Sequence, residues 1–143
     1  MAAALLRHAL QAASEPLKSI EVVSAGVAAL EGDPPSANSV RALHKVGIPL
    51  DNQRSQRLSR DLIEKSLLIL VMTESHRAMI QQGIPELTTE VLLFREPMGK
   101  GVEHEIPDPF GSDLASYEAS RDSMVEAIPA ILEHLRKKLQ ETS

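Results

Sequence analysis

Six consecutive apolar residues, at positions 67–72, constrain the fold of this chain more than any other feature. The run reads Leu-Leu-Ile-Leu-Val-Met and leaves no polar face. A strand that is apolar on both faces is typical of a parallel sheet covered by helices on both sides. The run therefore predicts a buried parallel strand.

Helix and strand signals alternate on both sides of this run. The predicted helices cover 2–13, 40–46, 60–65, 74–82 and 112–139. The predicted strands cover 20–24, 67–72 and 91–94. Ser59 and Thr73 are predicted N-caps, Gly47 a C-terminal cap, and Pro129 should kink or split the last helix. The order α-β-α-α-β-α-β-α predicts an α/β fold with helices on both faces of a parallel sheet.

Length and composition predict a single domain over residues 1–143. Hydrophobic residues make up 43% of the chain and aromatic residues 2%, so aliphatic side chains must form the core. So few aromatic residues, with a net charge of -5, argue against a nucleic-acid partner. No apolar run approaches the roughly 20 residues that cross a bilayer, and no signal-peptide order is present. We therefore expect a cytoplasmic protein without a membrane partner.

The 143 residues contain no cysteine, which excludes disulfides, thiolate metal sites and thiol chemistry within them. The five histidines have no ligand-like spacing, so we expect no metal site. No G-x-S-x-G sequence occurs, and a serine hydrolase triad therefore has no support.

Five short matches occur in order along the chain and carry a resemblance to a known family. They lie at 1–7, at 23–26, within 32–58 (residues 32–35, 42–50 and 54–58), at 70–76 and at 108–111, with Tyr117, Arg121 and Asp122 downstream. Together they resemble the low-molecular-weight protein phosphatases, which act on phosphotyrosine or phosphoarginine. The Asp-Pro-Phe-Gly form at 108–111 is similar to the bacterial members, including those that act on phosphoarginine.

The resemblance implies a flavodoxin-like sheet with strand order 2-1-3-4 and an activity that needs no cofactor. Family members attack phosphate with a cysteine in a C-x5-R-[ST] loop, which follows the first, central strand. Residues 1–7 resemble the sequence just after that loop. The resemblance thus implies an N-terminally truncated domain without its first strand, its nucleophile or its phosphate loop.

Four residues receive roles from the resemblance. Asp108 matches the family's general acid, and Pro109 would hold its carboxyl toward the phosphate. Phe110 would be a wall against the substrate side chain, or a core residue. Ser24 matches a serine that braces the phosphate loop.

Other readings of the polar residues stay open at this point. Out of context, an Asp-Pro pair is an ordinary turn. Arg54 and Arg57 are candidates for anion binding, although a solvated loop explains them equally simply. Residues 73–76 are best explained as helix capping, with a pocket-lining role as the alternative.

Three hypotheses for function follow. The first is a protein phosphatase whose active chain begins upstream of Met1, and the second is a non-catalytic interaction module of phosphatase ancestry. The third, an arsenate reductase on the same fold, has less support because that chemistry relays electrons through cysteines. As written, the chain is expected to be inactive. Its relatives' partners are phosphorylated proteins or small phosphate esters.

A missing central strand also has a structural consequence. It should uncover the apolar faces around Leu5, Leu10, Val22 and Leu70, at a large cost in free energy. It should also leave an open sheet edge, through which copies of the chain could associate.

Overall fold

The computed structural model describes residues 1–26, 37–48, 56–57, 59–109 and 112–142. The helices are α1 (Ala2–Gln11), α2 (Ala37–His44), α3 (Arg60–Lys65), α4 (Glu74–Gly83) and α5 (Leu114–Thr142). The strands are β1 (Ala25–Gly26), β2 (Gln56–Arg57), β3 (Ile69–Val71) and β4 (Val91–Leu93). Short 3-10 helices cover Leu17–Ser19 and Glu96–Met98. The alternation confirms the α/β prediction, with β2 as an additional strand.

The strands form two parallel pairs. β3 pairs with β4, and Ile69 lies opposite Val91 in the register. β1 pairs with β2. Within the described ranges, no strand joins the two pairs. The predicted strand at 67–72 is confirmed, and its paired part is Ile69–Val71.

Alternate side chains of β3 face two different helix layers. Leu70 packs against the main core, which α1 and α5 dominate. Val71 belongs to a second cluster with Ile63 of α3 and Ile80 of α4. Because side chains alternate across a strand, helices cover both faces of the β3–β4 pair. This arrangement is the one that the apolar run predicts.

The strand predicted at 20–24 is wrong, because pairing begins only at Ala25. β-branched residues favour an extended backbone, but a strand also needs a hydrogen-bonded neighbour. No described strand lies beside 20–24. Instead, Arg7 of α1 donates a 2.6 Å hydrogen bond from Nη2 to the carbonyl oxygen of Val22. The Val22 carbonyl is thus bound by a side chain of α1 and not by a neighbouring strand.

The predicted caps are confirmed. The Ser59 hydroxyl accepts a 3.1 Å hydrogen bond from the Leu62 amide at the start of α3. The Thr73 hydroxyl accepts one of 3.3 Å from the His76 amide at the start of α4. Gly47 follows α2 with a φ of 79°, a conformation that glycine adopts without strain.

Pro129 was predicted to kink or split the last helix. The split is wrong, since α5 is one helix of 29 residues, and the kink stays a prediction. Proline removes one backbone hydrogen bond within a helix. Here Pro129 is exposed, while Ala127, Ile128, Ile131 and Leu135 on its two sides are buried. Burial of both halves therefore outweighs the local loss.

The expected exposure of the apolar faces is also wrong. Leu5 and Leu10 are 2% and 0% exposed, and both belong to the main core. Val22 and Leu70 are half-buried and pack against the same core. The inner face of α1 is covered because α5 and the 3-10 helix Leu17–Ser19 pack against it.

Candidate functional site

Residues 105–109, which include Asp108, form what we call the acid segment. It reaches the carboxyl end of β3, where the Ile106 amide donates a 2.9 Å hydrogen bond to the Met72 carbonyl oxygen. Ile106 itself is 2% exposed and lies in the main core. Asp108 is exposed, and Pro109 is half-buried. The core thus anchors a segment whose carboxylate reaches solvent.

A loop after β4 carries the chain back to this segment. Gly99 and Gly101 turn the loop with φ values of 96° and 90°. Arg95 holds it in place, because its Nε donates to the Glu103 carbonyl at 2.7 Å and its Nη1 to the Ser123 carbonyl at 2.6 Å. Arg95 therefore ties this loop, two residues before the acid segment, to α5.

A cavity of about 300 Å³ lies between the acid segment and the first turns of α5. The lining residues are Ile106, Pro107, Asp108, Pro109, Ser112, Ser116, Ala119, Ser120 and Ser123. Asp108 and Pro109 were predicted site residues, and the structure places both in this wall. The serines were not predicted, although the spacing of four and three residues between Ser116, Ser120 and Ser123 puts these three on one face of α5. Ser112 lies just before the helix.

The electrostatics of the cavity are anionic. The described residues that line it include one acidic side chain, Asp108, and no lysine or arginine. Asp113, beside the cavity, caps α5 by accepting a 3.0 Å hydrogen bond from the Ser116 amide. That bond lowers the pKa of Asp113 below its ordinary value, and the Ser116 hydroxyl lowers it further. The described part of this wall can offer a proton or an acceptor, but it supplies no cation for a phosphate.

Arg121 fixes the serine-lined face of α5 relative to α2. Its side chain is buried, and Nη1 donates a 2.8 Å hydrogen bond to the Ala42 carbonyl. Nε and Nη2 bind the Asp122 carboxylate at 3.0 and 2.8 Å. Tyr117 is buried on the same helix. These residues hold the wall of the cavity in position, and none of them lines it.

Two of the remaining predicted residues, Ser24 and Thr73, are described by the structure and do not line the cavity. Ser24 is exposed just before β1 and is absent from the described lining. Thr73 caps α4, as the capping interpretation predicts. Phe110 and Arg54 lie outside the described residues, and so does the side chain of Arg57.

The fold and site together define a class of protein. In parallel α/β folds, ligands bind at the carboxyl ends of the strands, where loops present polar groups. Here that position holds an Asp-Pro segment beside a cavity. The chain is therefore an α/β protein with a candidate acid–base or binding site at the carboxyl end of β3. Across the residues described, no helix has the length and apolar character needed to cross a membrane.

Comparison with known sequences gives the family. The sequence model described as "Low molecular weight phosphotyrosine protein phosphatase" matches residues 1–141, and the chain belongs to this family. The resemblance drawn from the five ordered matches is confirmed.

Individual relatives and structures agree with this assignment. A protein-arginine-phosphatase of Geobacillus stearothermophilus is 33% identical over 140 residues, which cover 98% of this chain and 86% of the relative. A probable low molecular weight protein-tyrosine-phosphatase, EpsP, of Ralstonia nicotianae is 32% identical over 136 residues, with 95% and 86% covered. The solved YwlE arginine phosphatase from Geobacillus stearothermophilus superposes with a TM-score of 0.82 at 31% identity, covering 99% of this chain and 87% of that structure.

Proposed function

We propose that these 143 residues form the acid-bearing part of a protein phosphatase site and do not hydrolyse phosphate esters by themselves. The observation that carries this proposal is the absence of cysteine from a chain whose Asp-Pro segment stands at the carboxyl end of a parallel strand. The relatives' names support phosphotyrosine and phosphoarginine as substrate classes, and identities of 33% and 32% favour neither class.

Hydrolysis of a phosphate ester through a phosphoenzyme needs three kinds of group. A nucleophile must form the phosphoenzyme, hydrogen-bond donors or cations must bind the phosphate oxygens, and an acid must protonate the leaving atom. Asp108 is proposed as the acid, because it is exposed, borders a cavity and extends from an anchored segment. Pro109 is proposed to restrict its backbone. The roles of Ser24 and Phe110, and a cytoplasmic location, stay predictions.

A non-catalytic interaction module is the alternative function. The cavity lining favours it, since the described wall offers serine hydroxyls and a carboxylate but no cation to hold a phosphate. Such a wall suits a neutral polar or cationic group of a partner.

A turnover assay on the full chain tests the proposal. The substrates are an aryl phosphate and a phosphoarginine peptide, and the variant Asp108→Ala is measured beside the unmodified chain. We expect release of phosphate at the buffer rate from both proteins. Turnover that survives purification to homogeneity, and that Asp108→Ala abolishes, would show that the chain has its own catalytic route.

A further inference from the structure

We propose that Glu105 is a positioning residue, which fixes the acid segment by binding the N-terminus of α4. This inference deepens the proposed function, because it concerns the same segment that carries Asp108. It rests on a contact between residues that are far apart in the sequence.

The Glu105 carboxylate reaches the first residue of α4. Its Oε1 accepts a 2.8 Å hydrogen bond from the Glu74 amide, across 31 residues of sequence. The next residue, Ile106, donates through its amide to the Met72 carbonyl at 2.9 Å. Two consecutive residues of the acid segment thus bind the turn that joins β3 to α4.

Helix chemistry explains why a carboxylate occupies this position. The first amides of a helix have no partner within the helix, and the helix dipole places partial positive charge there. Thr73 accepts from the His76 amide and leaves the Glu74 amide to another acceptor. A carboxylate is a strong acceptor for such an amide. A local cap would stabilise α4 alone, whereas Glu105 joins α4 to a segment from elsewhere in the chain.

Two prolines restrict the backbone between this anchor and Asp108. Pro107 and Pro109 each have a fixed φ, and the residue before a proline is confined to extended conformations. The Pro109 carbonyl accepts a 2.8 Å hydrogen bond from the Ser112 amide. Few backbone torsions between Ile106 and Pro109 are free to rotate. The orientation of Asp108 therefore depends on where residues 105 and 106 are held.

Amide hydrogen exchange on the 143-residue chain, followed by NMR, tests the anchor. The variants are Glu105→Ala and Glu105→Gln, and Glu133→Ala serves as the control because Glu133 is an exposed glutamate on α5. In Glu105→Ala, protection of the Ile106 amide should fall roughly tenfold, as expected when a hydrogen bond to a charged group is lost. Glu105→Gln keeps a carbonyl acceptor and should retain part of that protection.

Hydrogen exchange at amides of the main core distinguishes this positioning role from an effect on the stability of the whole chain. Protection at Ile131 should stay unchanged in both variants, and the control should match the unmodified chain throughout. Equal loss at Ile106 and Ile131 would show a merely global effect and overturn the proposal. So would unchanged Ile106 protection in Glu105→Ala. Exchange is measured without substrate, so turnover in the phosphatase assay would refute inactivity and leave the anchor standing.

Discussion

Replacement of Leu10 by alanine tests whether the inner face of α1 is truly buried. Leu10 is 0% exposed in the main core. Leu10→Ala removes three carbon atoms, worth about 0.8 kcal/mol each in transfer free energy, or about 2.4 kcal/mol. The residual cavity raises the expected loss to roughly 3 kcal/mol, within the range seen for buried leucines. Alanine favours helix formation, so the loss reports on packing alone.

Urea unfolding followed by far-UV circular dichroism measures this loss. The control is Met79→Ala in α4, because the Met79 side chain is 48% exposed. We expect the control to change the free energy of unfolding by less than about 0.5 kcal/mol. A Leu10→Ala variant as stable as the control would refute the packing described here. It would support instead an uncovered face on α1, as loss of a central strand predicts.

Four further results are expected. In a chain extended with a strand and a C-x5-R-[ST] loop, Asp108→Asn should slow phosphoenzyme formation mainly for substrates with poor leaving groups. A raised KM with unchanged kcat would contradict the assignment of Asp108 as the general acid. Partial burial raises the pKa of Glu90, but hydrogen bonds from His134 and Lys138 outweigh this and leave the pKa below its ordinary value of 4.5. The stability that Glu90 contributes is thus present above pH 4.5 and lost as the pH falls through the lowered pKa. Glu90→Gln should therefore flatten the acid limb of a pH–stability profile. Thr73→Ala should cost about 1 kcal/mol in urea unfolding, since it removes the cap of α4. Sedimentation velocity should show concentration-dependent association through the edge of β3 opposite β4, beside which no described strand lies. A strict monomer at all concentrations would contradict this.

Much of this protein's secondary structure could be predicted from the sequence, because it depends on local chemistry. The apolar run at 67–72 predicts a buried parallel strand because no other environment suits two apolar faces. Ser59 and Thr73 predict helix starts because their hydroxyls satisfy nearby amides, and Gly47 marks a helix end because it tolerates a positive φ. The order of short motifs gave the family and pointed to Asp108. Each motif, strand and cap in these inferences depends on residues close together in the chain, and only the order of the motifs runs along its whole length.

Tertiary structure decided what depends on distant neighbours. Residues 20–24 have strand composition, but no described strand lies beside them, so pairing begins only at Ala25. Pro129 stays within a helix, and Leu10 stays buried, because α5 packs along its length against the core. Glu105 meets α4 across 31 residues of sequence. No local pattern reveals such contacts, because they exist only once the folded chain brings separate segments together.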